Sequence, residues 1–205
     1  MLDHKVEQKQ DTKSLIFDTA LRLFATSGVE NVSMRDLADA VGIKAASIYN
    51  HYTNKEQLVE ACYDFYINYH DACRLSKDHY EDILLHGTRE DIANVPSFPF
   101  PEELRLNLLY AMTVLFSRMY TDPKAIDRYS FMIDRSMRFL SEFFEMGIRL
   151  GRFEPFDVSS FCMLFLSARL FSAQSTTIRP ASLPDLDTVQ SEMITALTRL
   201  IPFRY

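Results

Sequence analysis

Two interleaved apolar stripes run through residues 124 to 150. One is Ile126, Tyr129, Ile133, Met137, Leu140, Phe144 and Ile148; the other is Met132, Phe139, Phe143, Met146 and Leu150. Steps of three and four place each stripe on one face of an α-helix. Together they make an arc wider than a helix needs when it lies on a core with its back to water. Such a helix has to be wrapped by neighbours on two sides. The chain also has only five glycines in 205 residues, a fraction well under the roughly 7% of average proteins, so tight turns are scarce. Long helices with short connections, an all-α fold, are the expectation.

The remaining segments agree. Ile16, Ala20, Leu23 and Phe24 share one face of a helix over 13–27, which Gly28 can close in a left-handed conformation. Ser33-Met34-Arg35-Asp36 has the spacing of a capping box, with Asp in place of the usual Glu. It opens a short helix with Leu37, Ala38 and Val41 inward, stopped by Gly42. A third helix is expected over about 45–51 with Ile48 inward. Thr53 and Asn54 cap a fourth, which carries Leu58, Cys62, Phe65, Ile67 and Tyr69. One helix is expected over 78–93. Three prolines within 96–101 exclude helix there. Helices over 102–121 (Leu104, Leu108, Leu115 and Met119 inward), 157–178 and 185–201 complete the chain.

Several function classes drop out. A net charge of −6, from 28 acidic against 22 basic residues, excludes a basic nucleic-acid coat. Three scattered cysteines, Cys62, Cys73 and Cys162, exclude a disulfide scaffold and point to a reducing cytoplasm. The opening MLDHKVEQKQDTKS has no apolar core of a secretory signal. The longest apolar run, about 161–166, is far short of the roughly 20 residues that span a membrane. The glycines at 28, 42, 87, 147 and 151 form no phosphate loop, no Glu lies three residues before a His, no two His lie four apart, and no Gly-x-Ser-x-Gly elbow occurs. No catalytic residue, metal or cofactor is therefore expected, and the protein is not read as an enzyme.

Leu37-Ala38-x-x-Val41-Gly42-Ile43, with Ile48 five residues on, fits a helix-turn-helix. Ala38 is small where the next helix crosses. Gly42 supplies the backbone angle of the turn. Val41, Ile43 and Ile48 seal the core between the two helices, and in this motif the second helix enters the major groove. Leu23-Phe24-Ala25-Thr26-Ser27-Gly28, Val32-Ser33-Met34-Arg35-Asp36-Leu37-Ala38, Ile48-Tyr49-Asn50-His51-Tyr52 and Asn54-Lys55-Glu56-Gln57-Leu58 follow in order. This series resembles the tetracycline-repressor (TetR) family of bacterial regulators over about residues 13–60. Gly147-x-x-x-Gly151-Arg152-Phe153 is similar to that family's turn after its long helix.

The resemblance implies a helix-turn-helix domain over 1–54 and a helical regulatory and dimerisation domain over 55–205. It implies a homodimer on double-stranded palindromic operator DNA, released by a small apolar or aromatic effector; an all-α enzyme with a DNA-like decoy motif and an architectural DNA-binding protein without a ligand are the alternatives. Carried over, Ser33, Arg35, Tyr49, His51 and Lys55 face phosphates, while Ala45, Ala46, Ser47 and Asn50 meet base edges. Tyr52 is a core residue. Lys44 stands where the family commonly has a capping Ser or Thr, so a cap is lost, a cation is gained, and Ala45 is left for apolar contact with thymine methyls. Residues 1–60 carry 7 Lys and Arg against 9 Asp and Glu, so binding has to depend on placed residues, not on overall charge. Phe65, Tyr69, Leu108, Met112, Phe116, Met132, Phe139 and Phe143 are the expected effector contacts. Phe161, Phe165, Ala168, Ser172, Val189, Met193 and Leu197 are the expected dimer contacts. Arg169 reads either as an ion-paired or snorkelling arginine or as the counter-ion of an acidic ligand.

Overall fold

The computed structural model describes residues 11–96, 101–178, 192, 195–196 and 199–204. The described residues form α1 (Thr12–Ser27), a single 3-10 turn (Val29–Asn31), α2 (Met34–Val41), α3 (Ala45–Ile48), α4 (Lys55–Ala72), α5 (Lys77–His86), α6 (Arg89–Asn94), α7 (Glu102–Arg118), α8 (Pro123–Arg149) and α9 (Val158–Ile178). The helix expected over 185–201 lies almost wholly outside the described residues.

One expected helix, over 78–93, is two. Gly87 interrupts it, and Thr88 starts α6 with a capping box: the Thr88 hydroxyl accepts from the Asp91 amide at 3.2 Å, and Asp91 accepts from the Thr88 amide at 2.8 Å. The break was encoded by a Thr-x-x-Asp signal of the same kind as Ser33-x-x-Asp36.

The chain divides into two compact units, Met1–Tyr66 with Glu102–Ile126, and Ile67–Pro101 with Asp127–Tyr205. A boundary at 54/55 does not coincide with this division. The reason is packing: α1 lies against both α2 and α7. Ile16, Thr19, Ala20, Leu21 and Phe24 are all buried on α1, and Leu108, Ala111, Met112, Val114 and Leu115 on α7. Leu23 is only half-buried, and Leu21, outside the single face read from the sequence, is fully buried. A helix with neighbours on two sides buries a wider arc than one face. Asn107 adds a polar tie, donating to Asp18 at 3.1 Å.

The second unit is built on aromatic rings. Phe143 and Phe144, both fully buried, meet edge-on at 5.1 Å, and Phe144 contacts Phe156 at 5.7 Å and Phe161 at 5.0 Å. Offset and edge-to-face pairs of this kind add about 0.5–1.5 kcal/mol beyond the area they bury. The two ends of the α8 stripes depart from expectation, since Ile126 is 46% and Leu150 37% exposed. Tyr129, Ile133, Met137 and Ile148 are half-buried, and the fully covered part is the middle. Gly151, at φ +73°, closes α8, and the Arg152 and Phe153 amides both return to the Gly147 carbonyl, at 2.8 and 3.3 Å. This folds the Phe153 ring onto Gly147, where a Cβ would overlap it. Phe153 then pairs antiparallel with Phe203, and the Glu154 amide donates to the Pro202 carbonyl at 2.7 Å.

Gly147→Ala is expected to destabilise the protein by about 1–3 kcal/mol through overpacking. Thermal unfolding checks this: about 2–4 °C of Tm is lost per kcal/mol in a chain of this size.

Candidate nucleic-acid interface

The expected contact residues cluster on the turn-linked helices α2 and α3. The capping box at the start of α2 is complete. The Ser33 hydroxyl accepts from the Asp36 amide at 3.2 Å, and the Asp36 carboxylate accepts from the Ser33 amide at 2.8 Å and from the Ser33 hydroxyl at 2.7 Å. The bond from the Ser33 hydroxyl, followed by that from its amide, holds the Asp36 carboxyl below its ordinary value of 3.8. A depressed carboxyl stabilises the fold above its unfolded pKa, so this contribution is lost as pH falls below about 4. The box also uses the hydroxyl proton with which Ser33 was expected to hold a phosphate.

Gly42 takes the left-handed conformation, φ +79° and ψ +30°, and the amides of Gly42 and Ile43 both return to the Ala38 carbonyl, at 2.9 and 3.0 Å. Lys44 follows in extended conformation with no side-chain cap. As the sequence implied, α3 starts uncapped. It is also shorter than the expected 45–51. After Ile48 the bonds tighten to three-residue spacing, from the Asn50 amide to Ser47 and from the His51 amide to Ile48.

Ile48, fully buried, and Tyr52, 6% exposed, hold this segment to the core. The Lys13 ammonium lies 5.8 Å from the centre of the Tyr52 ring. With those two side chains turned inward, Lys44, Ala46, Tyr49 and Asn50 face solvent, Tyr49 at 53% exposure. Ala45, Ser47 and His51 are half-buried at the edge of that face, and Arg35 is exposed on α2. The arrangement presents two cations, a phenol and a carboxamide with small residues between them. A duplex can be gripped through such cations and hydroxyls and read through the amide.

Lys55 departs from expectation. Its ammonium donates to the Val29 carbonyl at 3.0 Å in a partly buried setting. It joins the 3-10 turn to the start of α4 instead of standing free for a phosphate. Thr53 and Asn54 cap α4: the Thr53 amide donates to Gln57 at 2.7 Å, and Asn54 accepts from the Gln57 amide at 2.9 Å.

The sequence reading missed one cluster in the same unit. Arg118, the last residue of α7, is 16% exposed and pairs with Glu30 in the 3-10 turn. It also lies 3.7 Å from Glu56 and 3.6 Å from Asp122, which in turn accepts from the Tyr63 hydroxyl at 2.9 Å. Glu30 and Arg118 are separated by 88 positions. No local spacing rule connects them.

The expected effector contacts fall in both units. In the first, Leu108 and Met112 are fully buried, and Phe65 and Phe116 half-buried, Phe65 against Phe17 at 5.4 Å. In the second, Tyr69 is half-buried while Met132, Phe139 and Phe143 are buried. Phe139 and Phe143 both meet the edge of Tyr80, at 5.8 and 5.9 Å. Close by on the chain, Arg74 donates to the Ser136 hydroxyl at 3.0 Å and shares Asp71 with Arg135. Burial, with the Arg169 and Arg74 charges beside it, pushes the His70 imidazole down to about 3, so it is neutral at physiological pH.

The expected dimer contacts on α9 differ in exposure. Phe165 is 3% exposed inside its own unit and stacks on Phe161 at 6.4 Å. Phe161 is half-buried among Phe144, Phe156 and Phe165, and Ala168 is half-buried. The apolar residues that α9 leaves outside are Met163, 61% exposed, and Leu164, 53% exposed, flanked by exposed Ser160 and Ser167. Met163 is two residues from both Phe161 and Phe165, which puts it on the opposite side of α9 from them. The Ser172 side chain, Val189, Met193 and Leu197 lie outside the described residues.

Residues 16–62 match the profile described as bacterial regulatory proteins, tetR family. The chain is 38% identical over 61 residues to IcaR, the HTH-type negative transcriptional regulator of the biofilm operon icaADBC in Staphylococcus epidermidis; the match covers 28% of this chain and 33% of IcaR. It thus spans about a third of the length of that relative. A putative transcriptional regulator from Saccharomonospora viridis, solved in complex with choline, has the same fold, with TM-score 0.70 at 20% identity over 94% of this chain and 98% of that one. So does AibR, solved with isovaleryl coenzyme A and operator DNA, with TM-score 0.64 at 20% identity over 95% of this chain and 100% of that one. No helix among the described residues is long and apolar enough to cross a membrane.

Tyr49→Ala is expected to weaken binding to all DNA sequences alike. Asn50→Ala is expected to flatten the preference at one base position, by about 1–3 kcal/mol. Titration of each variant against a preferred and a scrambled duplex separates the two outcomes.

Proposed function

We propose that the chain, whose residues 16–62 match the tetR-family profile, is a DNA-binding transcriptional regulator, a repressor acting as a homodimer on palindromic operator DNA. One observation carries the reading. The Ser33–Asp36 box, the left-handed Gly42 and the buried Ile48 and Tyr52 fix α2 and α3 so that Lys44, Ala46, Tyr49 and Asn50 form one outward face. That face is too small to specify a long site by itself. Two-fold pairing supplies a second copy, and half-sites then lie about one helical turn, roughly 34–36 Å, apart.

The exposed Met163 and Leu164, with small Ser160 and Ser167 beside them, support pairing through α9. Isologous contacts of this kind repeat each residue across the axis, so each exposed side chain is buried twice. A small apolar or aromatic effector is proposed to bind among the helices of the regulatory part; the choline and isovaleryl coenzyme A complexes of two proteins of this fold support ligand control. The effector acts only through a difference in its affinity for the DNA-competent and DNA-incompetent states.

Selection of bound sequences from random duplex DNA tests the function. The expected result is an inverted repeat; recovery of no preferred sequence contradicts the reading. The salt dependence is expected to be shallow, since each neutralised phosphate adds about 0.9 to the slope of log affinity on log salt and the cations on the outward face are few. Met163→Asp is expected to shift the protein toward monomer in light scattering and to lower operator affinity at least tenfold.

A further inference from the structure

The Arg118 guanidinium is surrounded by carboxylates from three separate elements. Glu30 comes from the 3-10 turn, Glu56 from the first turn of α4, and Asp122 from the link between α7 and α8. Asp122 is fixed as well. One oxygen accepts from the Tyr63 hydroxyl at 2.9 Å and the other from the Lys124 amide at 2.9 Å, at the start of α8. The Lys124 ammonium pairs in turn with Glu60 on α4. Arginine suits this position because its planar head offers five donors at fixed angles, whereas an ammonium acts as a point charge.

The tie matters because of what the 3-10 turn does. It ends at Asn31, and two residues later Ser33 caps α2. It is held from both flanks, with Lys55 bonding the Val29 carbonyl and Arg118 the Glu30 carboxylate. Where the turn sits therefore sets how α2, and through the Gly42 turn α3, leaves the body of the unit. We propose that Arg118 is a positioning residue for DNA reading: it orients the outward face of α3 by holding the Val29–Asn31 turn to the end of α7, without touching DNA itself. The proposal rests on the DNA-binding reading given above and adds to it a residue far from the helix-turn-helix in sequence.

A simple electrostatic role is distinguishable by sign. The Glu30 carboxylate is 76% exposed and the Glu56 carboxylate 57%, and pairs so open to solvent contribute little to global stability. Glu30→Gln also removes a negative charge from the DNA-binding part. If Glu30 acted only through its charge, the substitution would tighten binding to every duplex, because DNA is a polyanion. The positioning role makes the opposite claim. Glu30→Gln weakens binding to the selected operator three- to tenfold, leaves binding to scrambled DNA equal or slightly tighter, and leaves Tm unchanged. Arg118→Lys behaves as Glu30→Gln does, since a rotating ammonium lacks the fixed donor directions of the guanidinium plane, and Glu30→Asp retains part of the lost specificity.

The experiment titrates the full-length wild type, Glu30→Gln, Glu30→Asp and Arg118→Lys against a duplex selected by the wild type and against its scrambled counterpart, with a melting curve for each protein. A fall in the ratio of specific to non-specific affinity at constant Tm supports the proposal. An unchanged or improved ratio in Glu30→Gln overturns it, even if Arg118→Lys folds poorly. A wild type that selects no sequence at all refutes the DNA-binding reading instead.

Discussion

The packing of α1 along α7 is the contact on which the first unit depends. Helices α2 and α3 are short, eight and four residues, and isolated helices of that length are marginal in water. They persist because α3 packs on α2 with Ile48 buried, α2 packs on α1 with Leu37 and Ala38 buried, and α1, whose Ile16, Ala20, Leu21 and Phe24 are buried, itself packs on α7. The outward face of α2 and α3 is thus held in series, α3 on α2, α2 on α1 and α1 on α7, which lies much further along the chain. A helix-turn-helix that looks self-contained in sequence is, in the fold, one side of a larger body that includes α7.

Local chemistry is economical within that body. Capping boxes of the same design start α2 and α6, with Asp in both cases lowered by the hydroxyl and the amide it accepts from. Lys55 and Ser33, which look like phosphate donors when the sequence is taken alone, are used inside the unit. In the proposed function, DNA contact is assigned to the exposed side chains of Arg35, Lys44, Tyr49 and Asn50. That division accords with an acidic chain. Overall charge would not attract DNA, so the proposed recognition rests on where a few groups are placed.

The periodic part of the fold was legible. The all-α class, the two stripes of α8, the Ser33–Asp36 box and the stop at Gly42 all follow from local spacing, and local spacing is what a single sequence displays. The site was legible in part. Exposure of Tyr49 and Asn50 and burial of Tyr52 follow from where Ile48 points. What was hidden is non-local. Nothing near Leu21 announces that a second helix packed on α1 will leave it buried, and nothing near Glu30 announces Arg118. Phe165 and Met163 are both apolar and two positions apart, and only the aromatic cluster of Phe144, Phe156 and Phe161 decides that the first turns inward and the second outward. The break at Gly87 was legible in principle, through Thr88-x-x-Asp91, but the helical pattern on either side concealed it.

The central claim is that α1, α2 and α7 form one cooperative body that carries the reading face. Native-state hydrogen exchange on the full-length protein tests it most directly, because segments that open together share one free energy of opening. The account predicts that the amides of α1 and α7 are protected to the same extent, and that truncating a buried α1 side chain by Leu21→Ala lowers protection in both helices together and in α2 with them. If α1 and α2 exchanged independently of α7, and Leu21→Ala left α7 protection unchanged, the reading face would not depend on α7 and the account would be contradicted.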